Sequence, residues 1–340
     1  MIHIIRASHA NMYELQNYVG LDVGVITSRH PLTPITLPHT ALWSPTDLPW
    51  FPYRKQIMNR LFGGEQWLFG LRSLITKKFD GSIYRTILHT AETYTPYTHQ
   101  AVELRKSGII KKLICTCWET IPHANEKFDR VRKWKRDAYK YVDIFHTPTL
   151  RAKQALIAEG VDPAKIVVIP YGVDLSVFRP SLPGDSRKGQ KPVVLTVARK
   201  VPEKGLDIHK EIARQLSDIA EFRWVDSANY KDMPAIYNAA DIFFLPSQTT
   251  PPWEEQYGMS LIEAMACGLP IVTTDSGAIP EVVGDASIAL DQRDVDKMVK
   301  TLRDLIQNPG KRAVLSRLSL ARARALYDAK IISKQLSKLY

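Results

Sequence analysis

The chain reads as an α/β protein built from two Rossmann-like domains, each a parallel sheet covered by helices. Three observations predict this. Its 340 residues exceed one ordinary domain and suit two of about 150–170 residues. Short aliphatic runs alternate with helical patterns along the whole chain, as in doubly wound sheets. One break interrupts the series: Tyr171-Gly172-Val173-Asp174, then a stretch from Pro180 to Lys191 rich in Pro, Gly, Ser and charge.

Before the break, strands are predicted at Ile2–Arg6, Val23–Thr27, Thr86–His89, Lys112–Cys117, Asp143–His146 and Ile166–Ile169. Helical patterns lie at Tyr97–Lys106, Glu126–Tyr141 and Leu150–Glu159. After it come Val193–Val197, Lys204–Ile219, Phe222–Val225, Met233–Ala239, Ile242–Leu245, Met259–Ala266, Ile271–Thr274 and Ser287–Leu290, with helices closing the chain. Residues 1–172 and 173–325 are the expected domains.

Apolar residues make up 45% and charged residues 24%, a folded rather than a disordered composition. Cys115, Cys117 and Cys267 sit in apolar stretches at neither metal-ligand nor disulfide-framework spacing. Cys115 and Cys117 would share one face of a strand, so buried, reduced thiols are expected. The opening Met-Ile-His-Ile-Ile-Arg-Ala is a short strand rather than a leader, and no apolar run approaches the ~20 residues of a bilayer span. A cytoplasmic location is expected.

The formal charge of +11 is uneven: residues 1–172 carry about +9 and the remainder about +2. The first half holds Arg54-Lys55, Lys77-Lys78, Arg105-Lys106, Lys111-Lys112 and the run Arg130, Arg132, Lys133, Lys135, Arg136. An anionic lipid surface, nucleic acid, an acidic acceptor or plain solvated helix faces would each account for it. Residues 50–79 mix Trp50, Phe51, Tyr53, Leu61, Phe62, Trp67 and Phe69 with Arg and Lys, as in helices that lie on anionic membranes. A helix packed on the first sheet would look similar.

The candidate chemistry concentrates between Arg199 and Glu281. Glu255 and Glu263 stand eight positions apart, with Gly258 opening a predicted helix and Gly268-Leu269-Pro270 ending it. First-turn amides near Gly258, Met259 and Ser260, with the helix dipole, suit an anion such as a diphosphate. Directly after a predicted strand, Arg199 offers a bidentate fork and Lys204 a point charge. Asp294-Val295-Asp296 lies at a predicted helix start, where helix-terminal charge explains it better than a metal. Neither a phosphate-loop lysine motif, Gly-x-Gly-x-x-Gly, Gly-x-Ser-x-Gly nor His-Glu-x-x-His is present.

The segments Arg199…Glu203-Lys204-Gly205, Leu245-Pro246-Ser247, Glu255…Glu263-Ala-Met-Ala-Cys-Gly268-Leu-Pro270 and Ile169-Pro-Tyr-Gly172-Val-Asp174…Phe178-Arg-Pro180 resemble the retaining GT-B glycosyltransferases of family four. The resemblance is strong from Asp143 to Pro280 and weaker elsewhere. It implies two Rossmann-like domains facing across a cleft, with a final helix near 326–340 crossing back to the first. It implies transfer from a nucleotide-diphosphate sugar to a glycan or lipid-linked hydroxyl, without metal or other cofactor. By position, Arg199 and Lys204 would hold the diphosphate and Glu255 the donor-sugar hydroxyls. Glu263 would take the ribose hydroxyls, and the amides of Tyr257, Gly258 and Met259 the distal phosphate or sugar. Ser227 and Ala228, in Val225-Asp226-Ser227-Ala228, would lie near the base.

Where the family often has a glycine-rich loop, this chain has Ala7-Ser8-His9-Ala10-Asn11-Met12, so Ser8 and His9 stand on the expected acceptor side. Where many members place a histidine, it has Cys117-Trp118-Glu119-Thr120. Glu119 is either a sugar or acceptor contact or a polar loop cap. His89 either lines the acceptor side or ends a buried strand structurally. Residues 220–239 lack one strand–helix unit of the usual second domain. Competing readings are another GT-B activity, such as an epimerase or a glycogen-synthase-like polymerase, and a basic nucleic-acid-binding protein. The last lacks any recognition motif and leaves Glu255 and Glu263 unexplained, so no nucleic-acid partner is expected.

Overall fold

The computed structural model describes residues 2–77, 86–181 and 190–340. Lys78 of the basic pair and residues 182–189 of the expected linker lie outside them. The chain forms two compact units, Met1–Tyr171 with Ile332–Tyr340, and Gly172–Ile331. Against the expected 1–172 and 326–340, the return to the first unit starts at Ile332, inside the final helix.

The first unit is a seven-stranded sheet of β1 (Ile2–Ala7), β2 (Val23–Ser28), β3 (His39–Leu42), β4 (Ile87–Ala91), β5 (Lys112–Thr116), β6 (Ile144–Thr147) and β7 (Ile166–Val168). The strand order is β3-β2-β1-β4-β5-β6-β7 and every pairing is parallel. Its helices are α1 (Met12–Leu15), α2 (Arg54–Phe62), α3 (Leu71–Lys77), α4 (Pro96–Lys106), α5 (Asp129–Tyr141) and α6 (Leu150–Ala158). β3 escaped sequence reading because its four residues alternate exposed and half-buried at a sheet edge, with no apolar run. The central strands are buried on both faces, as parallel sheets require. Leu88, Leu113 and Phe145 meet Ala101, Val102 and Leu104 of α4 in one core.

The second unit is a five-stranded parallel sheet of β8 (Val193–Val197), β9 (Glu221–Val225), β10 (Ile242–Leu245), β11 (Ile271–Thr274) and β12 (Ile288–Leu290), ordered β12-β11-β10-β8-β9. Its helices are α7 (Leu206–Gln215), α8 (Met233–Asn238), α9 (Met259–Ala266), α10 (Ile279–Val283), α11 (Val295–Gln307) and α12 (Pro309–Leu326); α13 (Ala329–Leu336) closes the chain. Val194, Ile242, Phe244 and Val272 pack against Ile212, Met298 and Leu302. Each such side chain contributes about 1.5–3 kcal/mol by leaving water. The predicted helix from Lys204 instead begins at Leu206, because Gly205 takes a left-handed φ of 75° after the short 3₁₀ turn Pro202–Lys204.

Helix ends follow local chemistry. Thr95, Thr149 and Asp294 accept the backbone N–H groups of Thr98, Ala152 and Lys297 at the starts of α4, α6 and α11. That assigns Asp294 to a helix cap. α9 stops in a Schellman turn: Gly268 N donates to Met265 O (3.0 Å) and Leu269 N to Ala264 O (3.0 Å), with Gly268 at φ 77°.

The final residues lock into the first unit. Ser333 Oγ donates to Val19 O at 3.0 Å, Lys112 Nζ to Leu339 O at 2.5 Å, and the Tyr340 hydroxyl lies 2.8 Å from His89 Nδ1. Cys115 and Cys117 are buried and free, their sulfurs 3.8 Å apart on one face of the sheet, and Cys267 is buried and free. Burial pushes the Cys117 thiol well above its ordinary range.

Candidate active site

In the second sheet the strand order reverses direction between β8 and β10. At such a switch point the loops after the two strands diverge to opposite faces and leave a crevice at the strands' carboxyl ends. The loop after β8 carries Arg199 to Gly205, and the loop after β10 carries Pro246-Ser247. They are zipped together: Gln248 N donates to Glu203 O at 2.8 Å. A Cβ on Gly205 would lie 2.0 Å from the Pro246 carbonyl oxygen, so only glycine permits this approach.

Closure of these loops brings Lys204 to Glu255. Lys204 Nζ lies 2.6 Å from Glu255 Oε2, and Ser247 Oγ donates to the same oxygen at 2.9 Å. The Lys204 ammonium stands 4.9 Å from the centre of the Trp253 ring. The Glu255 backbone is fixed by the loop after β11, since Ala278 N donates to Glu255 O at 2.8 Å. Gly277 (φ 55°) makes that contact possible, as its Cβ would meet Glu255 O at 2.1 Å. Glu255 is therefore a buried carboxylate clamped from three strand ends.

Beside it, α9 begins at Gly258, in the left-handed conformation (φ 82°) and without a side-chain cap. The free ends of its first amides carry the positive end of the helix dipole. The helix is held rigidly, since Leu261, Ile262, Ala264, Met265 and Ala266 are fully buried. One turn inside, Glu263 is buried and its Oε2 accepts from the Tyr237 hydroxyl at 2.6 Å. Its Oε1 is buried with no hydrogen-bond partner among the described residues. Such an unmet acceptor costs about 1–3 kcal/mol until a donor reaches it. Burial raises the Glu263 carboxyl to about 7, against the lowering effect of the tyrosine hydrogen bonds.

Lys204, Glu255, Tyr257, Gly258, Met259 and Glu263 thus belong to one cluster of loops and helix start. Arg199 stands on the same loop as Lys204 but reaches into solvent, its nearest carboxylate, Glu203, at 4.0 Å. Ser227 and Ala228 lie on the exposed loop after β9, at the same sheet edge, where Lys200 pairs with Asp226 at 3.2 Å. Sequence reading gave no role to Ser247, Trp253, Tyr237 or Gly277. Ser247 and Gly277 follow strand ends, a positional signal. Tyr237 and Trp253 carry none, because their partners are distant in sequence.

In the first unit the order reverses between β1 and β4. After β1, Ala7 has a φ of 47°, His9 N donates to Arg6 O at 2.9 Å, and Asn11 caps α1. This loop is thus shaped without glycine and holds Ser8 half-buried and His9 exposed, the His9 ring 2.7 Å from Gln66 Nε2. Glu119 folds back on its own loop, its Oε1 accepting from Thr120 N (3.1 Å) and Ile121 N (3.3 Å) and its Oε2 from Asn125 Nδ2 (3.2 Å). It is a loop cap. His89 corrects the expectation of an acceptor-facing ring: it is fully buried, with Nδ1 at Tyr340 OH and Nε2 2.7 Å from Thr116 Oγ1. Both nitrogens are already spent, and burial beside Arg6 holds its pKa well below the ordinary value.

Beneath that loop, fully buried Arg6 donates through Nε to Glu14 Oε1 (2.7 Å) and through Nη1 to His89 O (3.0 Å). The Tyr171 hydroxyl donates to the same Glu14 oxygen at 2.8 Å, and its ring stacks on Trp118 with centres 4.5 Å apart. A group of His123, Glu126 and Glu159 has metal-ligand proximity. Its cation position is filled by the buried Lys135 ammonium, 2.9 Å from Glu126 and 2.7 Å from Glu159.

Two family models match the chain: "Glycosyl transferases group 1" over residues 208–319 and "Glycosyltransferase Family 4" over residues 19–177. The chain is 26% identical over 208 residues to a GDP-mannose-dependent monoacylated alpha-(1-6)-phosphatidylinositol monomannoside mannosyltransferase of Corynebacterium glutamicum, covering 50% of this chain and 55% of that one. It is 29% identical over 171 residues to the D-inositol 3-phosphate glycosyltransferase of Mycobacterium tuberculosis, covering 39% and 34%. The chain therefore spans about half the length, or less, of these curated relatives. In fold it is similar to Anabaena HepE in complex with UDP (TM-score 0.72, 15% identity, 99% of this chain and 98% of that one). It is equally similar to a sucrose-phosphate synthase of Thermosynechococcus elongatus (TM-score 0.72, 16% identity, 100% and 98%). These likenesses show the GT-B fold class, α/β with two Rossmann-like sheets.

Proposed function

Because the chain belongs to the glycosyl transferases of group 1, family four, we propose that it moves a sugar from a nucleotide-diphosphate sugar to a hydroxyl of a glycan or lipid-linked acceptor, with retention of configuration and without a metal. One observation carries the reading: Lys204 on buried Glu255 beside the uncapped start of α9, with a buried Glu263 oxygen awaiting a donor. The bond from the anomeric carbon to the distal phosphate oxygen breaks. The acceptor oxygen bonds to that carbon on the same face, and its proton leaves on the nucleoside diphosphate. Charge grows on the departing diphosphate, so preorganised positive potential is what lowers the barrier.

Arg199 and Lys204 supply that potential as side chains; Tyr257, Gly258 and Met259 supply it as amides. An ammonium has three N–H donors, so Lys204 keeps two for phosphate while Glu255 holds it in place. Glu255 contacts donor-sugar hydroxyls, Glu263 the ribose, and the Ser227-Ala228 loop the base. Ser8 and His9 stand on the acceptor side. The lipid-linked acceptor draws support from the phosphatidylinositol mannoside named for the C. glutamicum relative. The reading puts the enzyme in the cytoplasm, meeting such an acceptor at the membrane face. Among the described residues no helix is long and apolar enough to cross a membrane.

The test is a panel of UDP-, GDP- and ADP-sugars with excess chelator, reading nucleoside diphosphate release with and without acceptor. Release that needs acceptor, persists in chelator and gives a product of the donor's anomeric configuration supports the proposal. Interconversion of the donor sugar without acceptor identifies an epimerase, and loss of turnover in chelator overturns metal independence.

A further inference from the structure

The amphipathic stretch near residue 50 had two readings, a helix packed on its own sheet or a helix turned outward, and the side chains separate them. α2 buries a single residue, Met58. Ile57 and Leu61, spaced four apart and so on one helix face, are 43% and 61% exposed; Tyr53, the cap residue before α2, is 73% exposed and Trp50 just before it 79%. Apolar side chains on a helix normally face the core; here the stripe faces solvent. The charges of α2 are all cationic: Arg54, Lys55 and Arg60. Arg54 is taken by Glu65 at 2.7 Å, and Lys55 and Arg60 have no carboxylate partner among the described residues.

The stripe continues into a second cationic face. Arg130 Nη2 donates to Arg60 O at 3.2 Å, joining the start of α5 to the end of α2. Leu61 lines the same surface cavity, of about 650 Å³, as Arg130, Lys133 and Trp134. Arg130, Lys133 and Arg136 repeat at three-residue spacing on the exposed side of α5, with no carboxylate partner among the described residues. Lys135, which sequence alone counts with them, is buried and neutralised by Glu126 and Glu159. The acids nearest the cavity, Glu103 and Asp137, are both occupied by Lys106 at 2.8 and 3.0 Å. Phe128, 56% exposed at the α5 cap, adds a further apolar tip.

We propose that this face of the first unit, the Ile57-Leu61 stripe of α2 with Tyr53 exposed at its cap, flanked by Lys55, Arg60, Arg130, Lys133 and Arg136, docks on an anionic lipid bilayer. Trp50 and the stripe enter the boundary between head groups and acyl chains, and the cations lie over lipid phosphates. The charge decides the occupant: a second copy would bring the same cations against each other, and a neutral surface would leave five of them unmatched. The proposal gives a location to the lipid-linked acceptor reading, and it stands on binding rather than on turnover.

The full chain is sedimented with vesicles of neutral phosphatidylcholine and with vesicles containing one-third phosphatidylglycerol, at low and high salt. Binding is expected on the anionic vesicles alone and is expected to weaken with salt. Ile57→Asp with Leu61→Asp is expected to lower the partition at least tenfold. Lys133→Ser and Arg136→Ser are each expected to lower it roughly fivefold. Thermal stabilisation by nucleotide sugars is measured on the same proteins and should be unchanged, so failure of docking and failure of the donor site are told apart. Absence of binding to anionic vesicles, equal binding to neutral ones, or binding untouched by the stripe variants overturns the proposal. So does a concentration-dependent dimer in vesicle-free solution that the stripe variants abolish.

Discussion

Lys204 Nζ and Glu255 Oε2 lie 2.6 Å apart across 51 residues of sequence, and both side chains are largely withdrawn from water. Removing one partner of a buried ion pair leaves the other uncompensated, whereas removing both charges is mild. The pair therefore separates stability from activity.

Lys204→Ala is expected to lower kcat at least a hundredfold and to lower Tm by several degrees. Adding Glu255→Gln should restore most of the Tm but none of the turnover. Recovery of activity in the double variant would assign Lys204 a structural role only. Circular dichroism and steady-state assays read both.

Glu263 gives a pH signature. Its carboxyl titrates near 7 in the folded chain against 4.5 as an ordinary glutamate. The folded state thus holds the proton more tightly, so its contribution is fully present below pH 4.5 and is lost as pH rises toward 7. Glu263→Gln should flatten the Tm–pH curve in that window. Ribose hydroxyls donate to the ionised form, so nucleotide binding near pH 7 should release a proton. Titration calorimetry in buffers of different ionisation enthalpy measures this, and a buffer-independent heat would contradict the ribose role.

His146 works in the opposite sense. Burial lowers it to about 4 from an ordinary 6.5, while Ile169 O accepts from its ring at 2.7 Å. Its neutral form belongs to the fold, so stability falls as pH drops from 6.5 toward 4. His89, lowered in the same direction, adds to the fall. Thermal unfolding across pH 4–8 should show the loss, and His146→Gln should reduce it.

Tyr340→Phe removes the hydroxyl at His89 Nδ1 and is expected to destabilise the chain by about 1 kcal/mol. The apparent affinity for nucleotide should be unchanged, because the contact lies wholly in the first unit. Denaturant unfolding and a nucleotide titration check the two halves of this expectation.

Gly205→Ala is a test of loop closure. The added Cβ would meet the Pro246 carbonyl at 2.0 Å in a left-handed backbone, so the loops after β8 and β10 must part. Weaker nucleotide binding is expected together with a loss of several kcal/mol in stability.

Much of the molecule is written in local pattern. Alternating apolar runs set the strands, Gly268 and Asp294 mark helix ends, and the spacing from Glu255 to Glu263 places one carboxylate before a helix and the other within it. Those features depend on near neighbours, and near neighbours are what a sequence displays. The edge strand His39–Leu42 lacked an apolar signature, and Gly205 delayed to Leu206 the start of a helix that periodicity alone begins at Lys204.

What tertiary structure alone decided is partnership. His89 and Glu119 looked alike as polar residues near strand ends. One proved sealed between Tyr340 and Thr116, the other a cap on its own loop. The α2 stripe could have faced inward or outward, and Lys135 could have joined the surface charges. Each outcome depends on which distant side chain fills the adjacent space, and no periodicity encodes that.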